Sequence, residues 1–362
     1  MDIVSLLHLA KAKGASDLHL VASSPPLLRI HGSLKPIADM PPLNADNINQ
    51  AFSQITSARE REQFEHRLEL DFGYAIPDVA RFRCNAAKQR GTISLAIRLL
   101  PLTAPSLDEL GLPGICKELV LRPRGLVVIT GPTGSGKSTT LAAMINHLNH
   151  TESRRVVTIE DPIEYVYSNL KCVITQRELG NDTLSFAEAL RRVLRQDPDV
   201  ILVGEMRDLE TAAAALTIAE TGHLVLTTGH APSASQAIER IVDLFPPHER
   251  YLAQTRLASL LLAVLCQALI PKADGTGRVA AVEIMLANPA VKNLIREGKI
   301  YQLPNVIRTH IQEGMQLFDQ CLVKLYRQGM INYDNLLAFC NDQDEVVKLA
   351  GTTEAKPPVH LH

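Results

Sequence analysis

The chain has 362 residues, 21% of them charged, with a formal net charge of −2 and no tryptophan. That length suggests two or three domains, each able to bury a core. The near balance of charge excludes a general basic footprint for nucleic acid, and the cysteines at 84, 116, 172, 266, 321 and 340 form no C-x-x-C pair, which argues against structural zinc and fits reduced core thiols.

The start, Met1-Asp-Ile-Val-Ser-Leu-Leu, has no basic stretch followed by a cleavage site, so no secretory leader is expected and the cytoplasm is the expected compartment. Ile3 to Lys13 has helical periodicity and stops at Gly14. Asp17 to Val21 and Leu27 to Ile30 alternate as strands around Pro25-Pro26. Arg81 to Ala86 and Gly91 to Arg98 predict two more, with a turn near Gln89-Arg-Gly91. Residues 1–105 therefore read as a small α+β domain. Pro101, Pro105, Gly111, Pro113 and Gly114 mark 106–123 as a linker.

From Arg124 apolar strands alternate with helical stretches, the pattern of a mostly parallel sheet with helices on its faces. Strands are expected at 125–130, 156–160, 199–204 and 223–228, within a domain spanning 124–288. The longest apolar run, Ala258 to Ile270, is shorter than the about 20 residues needed to span a bilayer and contains Gln267. It reads as a buried helix. After about 271 the chain is expected to turn helical, most clearly at Pro289 to Glu297 and Met315 to Gln328, giving a helical region over 289–350. Residues 351–362 carry Pro357-Pro358 and read as a disordered tail.

Gly131-Pro132-Thr133-Gly134-Ser135-Gly136-Lys137-Ser138 follows the run Gly125-Leu-Val-Val-Ile-Thr130 and precedes the helical stretch Thr139 to Asn146. Strand, G-x-x-x-x-G-K-S loop and helix together form a phosphate-binding loop. Gly131, Gly134 and Gly136 let the backbone curl around Pro132, so that successive N–H groups from Gly131 through Thr133 and Ser135 to Thr139 converge on the phosphates. Lys137 reaches the β/γ oxygens, and Ser138 offers its hydroxyl to Mg²⁺. The helix dipole favours the anion.

ATP hydrolysis also needs a residue that activates water and positive charge near the γ-phosphate. Asp199-Val-Ile-Leu-Val-Gly204 ends in Glu205, an acid placed as in a Walker B strand to coordinate Mg²⁺ through water or to position water. Val156-Val-Thr-Ile159 ends in Glu160-Asp161-Pro162-Ile163-Glu164. Glu164 is the chosen general base, with Glu160 and Asp161 shaping the site or holding metal-bound water. The alternative is a solvated strand-to-helix turn with capping carboxylates. His230 follows the run His223 to Thr228 and is placed to sense the γ-phosphate. Arginine suits charge on a transferring phosphoryl group, often from another subunit. Candidates are Arg81, Arg83 and Arg98 in the first domain, and Arg191, Arg192 and Arg195 in the helical stretch Phe186 to Arg195.

The chain resembles the PilT family of type IV pilus retraction motors, within the secretion-ATPase superfamily, over nearly its whole length. The matching blocks are Ala15-Ser-Asp-Leu-His-Leu20, Gly131 to Ala143, Thr158-Ile-Glu-Asp-Pro-Ile-Glu164, Val203-Gly-Glu-Met-Arg-Asp-Leu-Glu-Thr211, Ala219-Glu-Thr-Gly-His-Leu224 and the region from His230 to Arg240. The resemblance implies an α/β chain with a PAS-like N-terminal domain, a RecA-like P-loop ATPase domain and a helical C-terminal region. It implies a cytoplasmic homo-hexamer at the inner membrane, acting on the platform protein of the pilus machine, with a paralogous pilus ATPase as a further partner. It assigns the catalytic glutamate to Glu164, the Walker B acid to Glu205 and the His-box histidine to His230. Ala290-Val-Lys-Asn-Leu-Ile-Arg-Glu297 matches the family's retraction motif with two changes. The His box departs further, reading Thr228-Gly-His-Ala-Pro232 where the family has Thr-Leu-His-Thr-Asn. Competing readings are a non-hydrolysing nucleotide switch, a pilus-extension or secretion ATPase, and a nucleic-acid translocase.

Overall fold

The computed structural model describes residues 2–30, 32–77, 79–100 and 103–351; Pro101 and, of the expected tail, 352–362 lie outside the described residues. The chain divides into two compact units, Met1–Ala104 with Pro162–Tyr167, and Pro105–Asp161 with Ser168–His362.

The first unit runs α1 (Ile3–Ala12), β1 (Asp17–Leu20), β2 (Leu27–Ile30), β3 (Ser33–Pro36), α2 (Ala45–Ile55), α3 (Ala58–Arg67), β4 (Glu69–Ile76), β5 (Ala80–Gln89) and β6 (Thr92–Leu100). Its strands form an antiparallel sheet in the order β3-β2-β1-β6-β5-β4. β6 alternates Ile93, Leu95 and Ile97 inward, and β5 does the same with Phe82, Cys84 and Ala86. The elements predicted above do not include α2 and α3. α2 places Ile48, Ala51, Phe52 and Ile55 on one buried face, while α3 starts at Ser57, whose side chain accepts from Glu60 N as Glu60 accepts from Ser57 N. The Ser-x-x-Glu spacing is the signal that marks α3 in the sequence.

The second unit opens with α4 (Ile115–Val120) and β7 (Gly125–Thr130), then α5 (Lys137–Thr151), β8 (Arg155–Glu160), β9 (Val173–Glu178), α6 (Phe186–Val193), β10 (Val200–Val203), α7 (Leu209–Glu220), β11 (Leu224–Thr228), α8 (Ala234–Asp243) and α9 (Arg250–Leu260). It closes with β12 (Leu261–Pro271), β13 (Arg278–Leu286), α10 (Pro289–Arg296), α11 (Leu303–Thr309), α12 (Phe318–Arg327), α13 (Tyr333–Phe339) and α14 (Gln343–Ala350). The stretch 106–123 groups with this unit and contains α4. The sheet order is β13-β12-β7-β11-β10-β8-β9, parallel except for β13. Every residue of β7, β10 and β11 is buried, as both faces are covered.

The structure corrects two expectations. The run Ala258 to Ile270 is not a helix: α9 ends at Leu260, and Leu261 turns extended to begin β12 beside β7. A run apolar on all sides carries no periodicity to separate a buried strand from a buried helix. The chain also does not turn helical directly after 271, because β13 pairs with β12 from Ala263↔Leu286 to Pro271↔Arg278 before α10 begins.

A candidate active site at the carboxyl edge of the parallel sheet

The loop Gly131–Gly136 joins the end of β7 to the start of α5. Gly131 has φ 144°, and a Cβ there would lie 2.2 Å from Gln267 O; Gly136 has φ 87° and caps α5 in the left-handed region. Both positions require glycine. Between them the crest of the loop is a turn over Thr133 and Gly134, closed by Ser135 N donating to Pro132 O at 3.2 Å. Pro132, Thr133 and Gly134 are exposed, so an anion can approach their main chain. The N–H of Ser135, expected to face phosphate with those of Thr133 and Gly134, is instead turned into the loop.

Lys137 is 9% exposed, and its Nζ donates to Gly131 O at 2.9 Å and Pro132 O at 3.0 Å. Ser135 Oγ is buried with no partner among the described residues. Ser138 is exposed at the first turn of α5, and Thr139 beside it is half-buried. A glycine-shaped cradle at a helix N-terminus, a lysine folded over it and an orphaned buried hydroxyl fit a polyphosphate.

Gln267 holds this loop from β12. It is 2% exposed, its Nε2 donates to Ser135 O at 2.6 Å, and its Oε1 accepts from Thr140 Oγ1 at 2.9 Å. Leaving a buried carbonyl and hydroxyl unpaired costs about 1–3 kcal/mol each, so the amide fixes the loop to the sheet. Motif spacing assigns Gln267 no site role. Its signal is being the one amide in the longest apolar run, where a buried amide needs nearby partners.

β11 lies between β7 and β10, so Glu205 stands one intervening strand away from the phosphate loop. The strand ends are stitched side by side: Gly229 N donates to Ile129 O at 2.9 Å, Thr228 Oγ1 to Gly204 O, and Gly204 N to Ile159 O at 2.8 Å. Beyond them His230 Nε2 lies 3.1 Å from Glu205 Oε1, and Arg207 Nε lies 2.8 Å from Glu205 Oε2. Arg240 donates to His230 O. Thr130 Oγ1 donates to Ala231 O at 2.9 Å and accepts from Ala231 N at 2.7 Å, tying the His230 loop to the strand that bears the phosphate loop. A cavity of about 350 Å³ lies here, lined by Thr130, Glu205, Arg207, His230 and Arg240 among others. Arg207 and Arg240 stand inside blocks recognised in the sequence, but nothing in their spacing assigns them to this cavity.

Backbone bonds hold the His box as it stands in this chain. Ala231 is held through its main chain, and Pro232 offers no N–H that would need a partner. Gly229 does not use the left-handed region.

Glu160 ends β8 half-buried, accepting from Thr158 Oγ1 at 2.6 Å and Gln176 Nε2 at 3.2 Å. Asp161 is exposed. Glu164, half-buried between Ile163 and Tyr165, belongs to the segment Pro162–Tyr167 that groups with the first unit. Arg195 is exposed on the 3-10 turn Leu194–Gln196 after α6 and does not line the cavity at Glu205. A second cavity, of about 530 Å³, opens beside α5 between Gly136, Thr139, Thr140, Lys272 and Arg278. Among the described residues no cluster of three His, Cys, Asp or Glu side chains could hold a metal. The exposed hydroxyl of Ser138 is an oxygen donor of the kind that Mg²⁺ accepts alongside phosphate oxygens and water.

In the first unit, Arg83, Arg98, Asp17 and Arg29 are register neighbours across β5, β6, β1 and β2. Arg98 Nε donates to Asp17 Oδ1 at 2.9 Å, and Arg29 Nε lies 3.7 Å from Asp17 Oδ2. Burial raises the Asp17 carboxyl, but the Ser16 hydroxyl and Arg98 outweigh it and hold the group below its ordinary range. Arg83 is exposed, and Arg81 stands two residues before it on the same face of β5.

A parallel sheet with a phosphate loop after one strand, an acid after another and a histidine after the strand between them defines a P-loop ATPase. The family model for type II/IV secretion system proteins matches residues 2–330, and the chain belongs to that family. It is 48% identical over 335 residues, 92% of this chain and 97% of the relative, to the type IV pilus retraction ATPase PilT of Pseudomonas aeruginosa. It is 40% identical to the type IV pilus ATPase PilU of the same organism, over 98% of this chain and 94% of the relative. A crystal structure of the pilus retraction motor PilT with bound ADP superposes with a TM-score of 0.89 at 44% identity, covering 95% of this chain and 98% of that one. The chain is thus an ATPase of the PilT branch. No helix among the described residues is long and apolar enough to cross a membrane.

Proposed function

We propose that this chain is a cytoplasmic motor that hydrolyses ATP to retract type IV pili and so drives twitching motility. The observation that carries the reading is the pairing of His230 with Glu205 at 3.1 Å beside a phosphate loop fixed by Gln267. Gly131, Pro132, Thr133, Gly134, Ser135, Gly136 and Thr139 form the cradle for the phosphates, with Lys137 leaving its loop carbonyls for the β/γ oxygens. The cavity beside Thr139 and Arg278 would take the nucleotide's adenine. Mg²⁺, when bound, would supply positive charge against the phosphates. Ser138 would hold it directly, and Glu205 and Glu160 would hold it through water. Glu164 takes the proton of the attacking water. His230 reads loss of the γ-phosphate through Glu205.

Arg81, Arg83 and Arg98 supply positive charge from a neighbouring subunit of a homo-hexamer, and Arg195 does so from the ATPase unit. The assembly works at the cytoplasmic face of the inner membrane, where the platform protein of the pilus machine is its partner. It touches the membrane only through partners and does not bind nucleic acid. Whole-length similarity to PilU supports a second reading, in which the chain works beside a paralogous retraction ATPase.

A null strain scored for pilus number and twitching tests this. Surplus pili without movement are expected, and bald cells would point to extension. Twitching that persists until a paralogue is also deleted would favour the second reading.

A further inference from the structure

Glu283 is a buried carboxylate that none of these roles uses. It lies on β13, 6% exposed, opposite Cys266 of β12. Its Oε1 accepts from the N–H of Ala234 at 2.7 Å, and the main chain of Phe318 favours the charged form of the same carboxyl. Ala234 and Phe318 are the first residues of α8 and α12. The carboxylate therefore closes the N-terminus of α8 from a distant strand, where an unpaired N–H and the positive dipole end both favour it. Burial lifts the carboxyl above its usual range, and Asp319 pushes the same way.

The loop that carries His230 runs straight into α8. After Arg240 at His230 O, its main chain is held by Thr130 at Ala231, from the strand of the phosphate loop, and by Glu283 at Ala234, from β13. Pro232, between them, has no donor. We propose that Glu283 is a positioning residue for hydrolysis, fixing the end of the His230 loop against β13 so that His230 meets Glu205. This rests on the role given to His230 above.

Other contacts keep the elements in place without it. Val282 N donates to Cys321 Sγ at 3.4 Å, Gln316 Nε2 donates to Val282 O at 2.8 Å, and α8 buries Ala237, Ile238, Ile241 and Val242 in the main core. Losing Glu283 frees the loop rather than the fold.

The test compares Glu283→Gln, His230→Ala and the double variant in the full chain, by steady-state phosphate release, ADP titration and thermal melting. Glu283→Gln keeps one acceptor oxygen but puts an amide donor in place of the other. It is expected to lower kcat about ten-fold with KM and ADP affinity within about two-fold, and to add nothing in the His230→Ala background, since interacting residues are not additive. Ala234→Pro removes the N–H itself at a first-turn position that accepts proline, after an extended Ser233, and is expected to reproduce the loss. An unchanged kcat in folded Glu283→Gln or Ala234→Pro overturns the proposal, as does an equal loss with and without His230. A His230→Ala protein with unaltered kcat overturns the role of His230 and this proposal together, whereas a slowed His230→Ala beside an unaffected Glu283→Gln overturns this one alone.

Discussion

The two sheets carry polar side chains in opposite ways. In the first unit the strands alternate, so one face buries Phe82, Cys84, Leu95 and Ile97 while the other bears Arg29, Asp17, Arg98 and Arg83 in register. In the second unit β7, β10 and β11 are buried throughout, and the functional side chains can emerge only where those strands end. A charged row on an open face can change one residue at a time without touching the core. A site at the edge of a covered sheet depends on backbone bonds and on buried polar residues such as Gln267, Thr130 and Glu283, so its supports are spread far along the chain.

Substitutions in the two units put that contrast to the test. Lys137→Ala should have the largest effect, lowering phosphate release about a thousand-fold, the upper range for removing one group that stabilises transition-state charge. Glu164→Gln should lower phosphate release about a hundred-fold while leaving ADP binding intact, as removal of a general base does. Hydrolysis at the wild-type rate would sink its assignment as the general base. Gln267→Leu should weaken ADP binding about ten-fold in titrations, because Ser135 O and Thr140 Oγ1 lose their partner within the phosphate loop's support.

Asp17→Asn should have the smallest effect on hydrolysis, seen instead as about 1–3 kcal/mol less resistance of the first unit to urea at neutral pH. The sign of its pH dependence follows from a carboxyl held below its ordinary range: the stabilisation is present above that range and is lost as pH falls through the folded value. The variant should therefore flatten the acid limb of the stability curve.

Legibility followed the same division. The phosphate loop, its flanking strand and helix, and the strands ending near Glu160, Glu205 and Thr228 were readable, because glycine spacing and short apolar runs bounded by acids are local signals. β12 and β13 were not, since a strand buried on both faces has no period and its pairing with β7 is set by distant residues. His230 stood out as a residue type at a strand end. Its grip on Glu205, and the anchoring of its loop by Thr130 and Glu283, depend on pairs far apart in sequence that no window contains.

The segment Pro162–Tyr167 has one more consequence. By joining the first unit it makes the polypeptide pass between the two units three times, after Ala104, after Asp161 and after Tyr167. The first unit is therefore not a cassette that can be cut out as one stretch of gene. A fragment ending at Ala104 lacks Ile163 and Tyr165, which are 5% and 8% exposed in the intact chain. Any exchange of this unit between relatives must carry two separate pieces of sequence, and the smaller piece brings Glu164 with it.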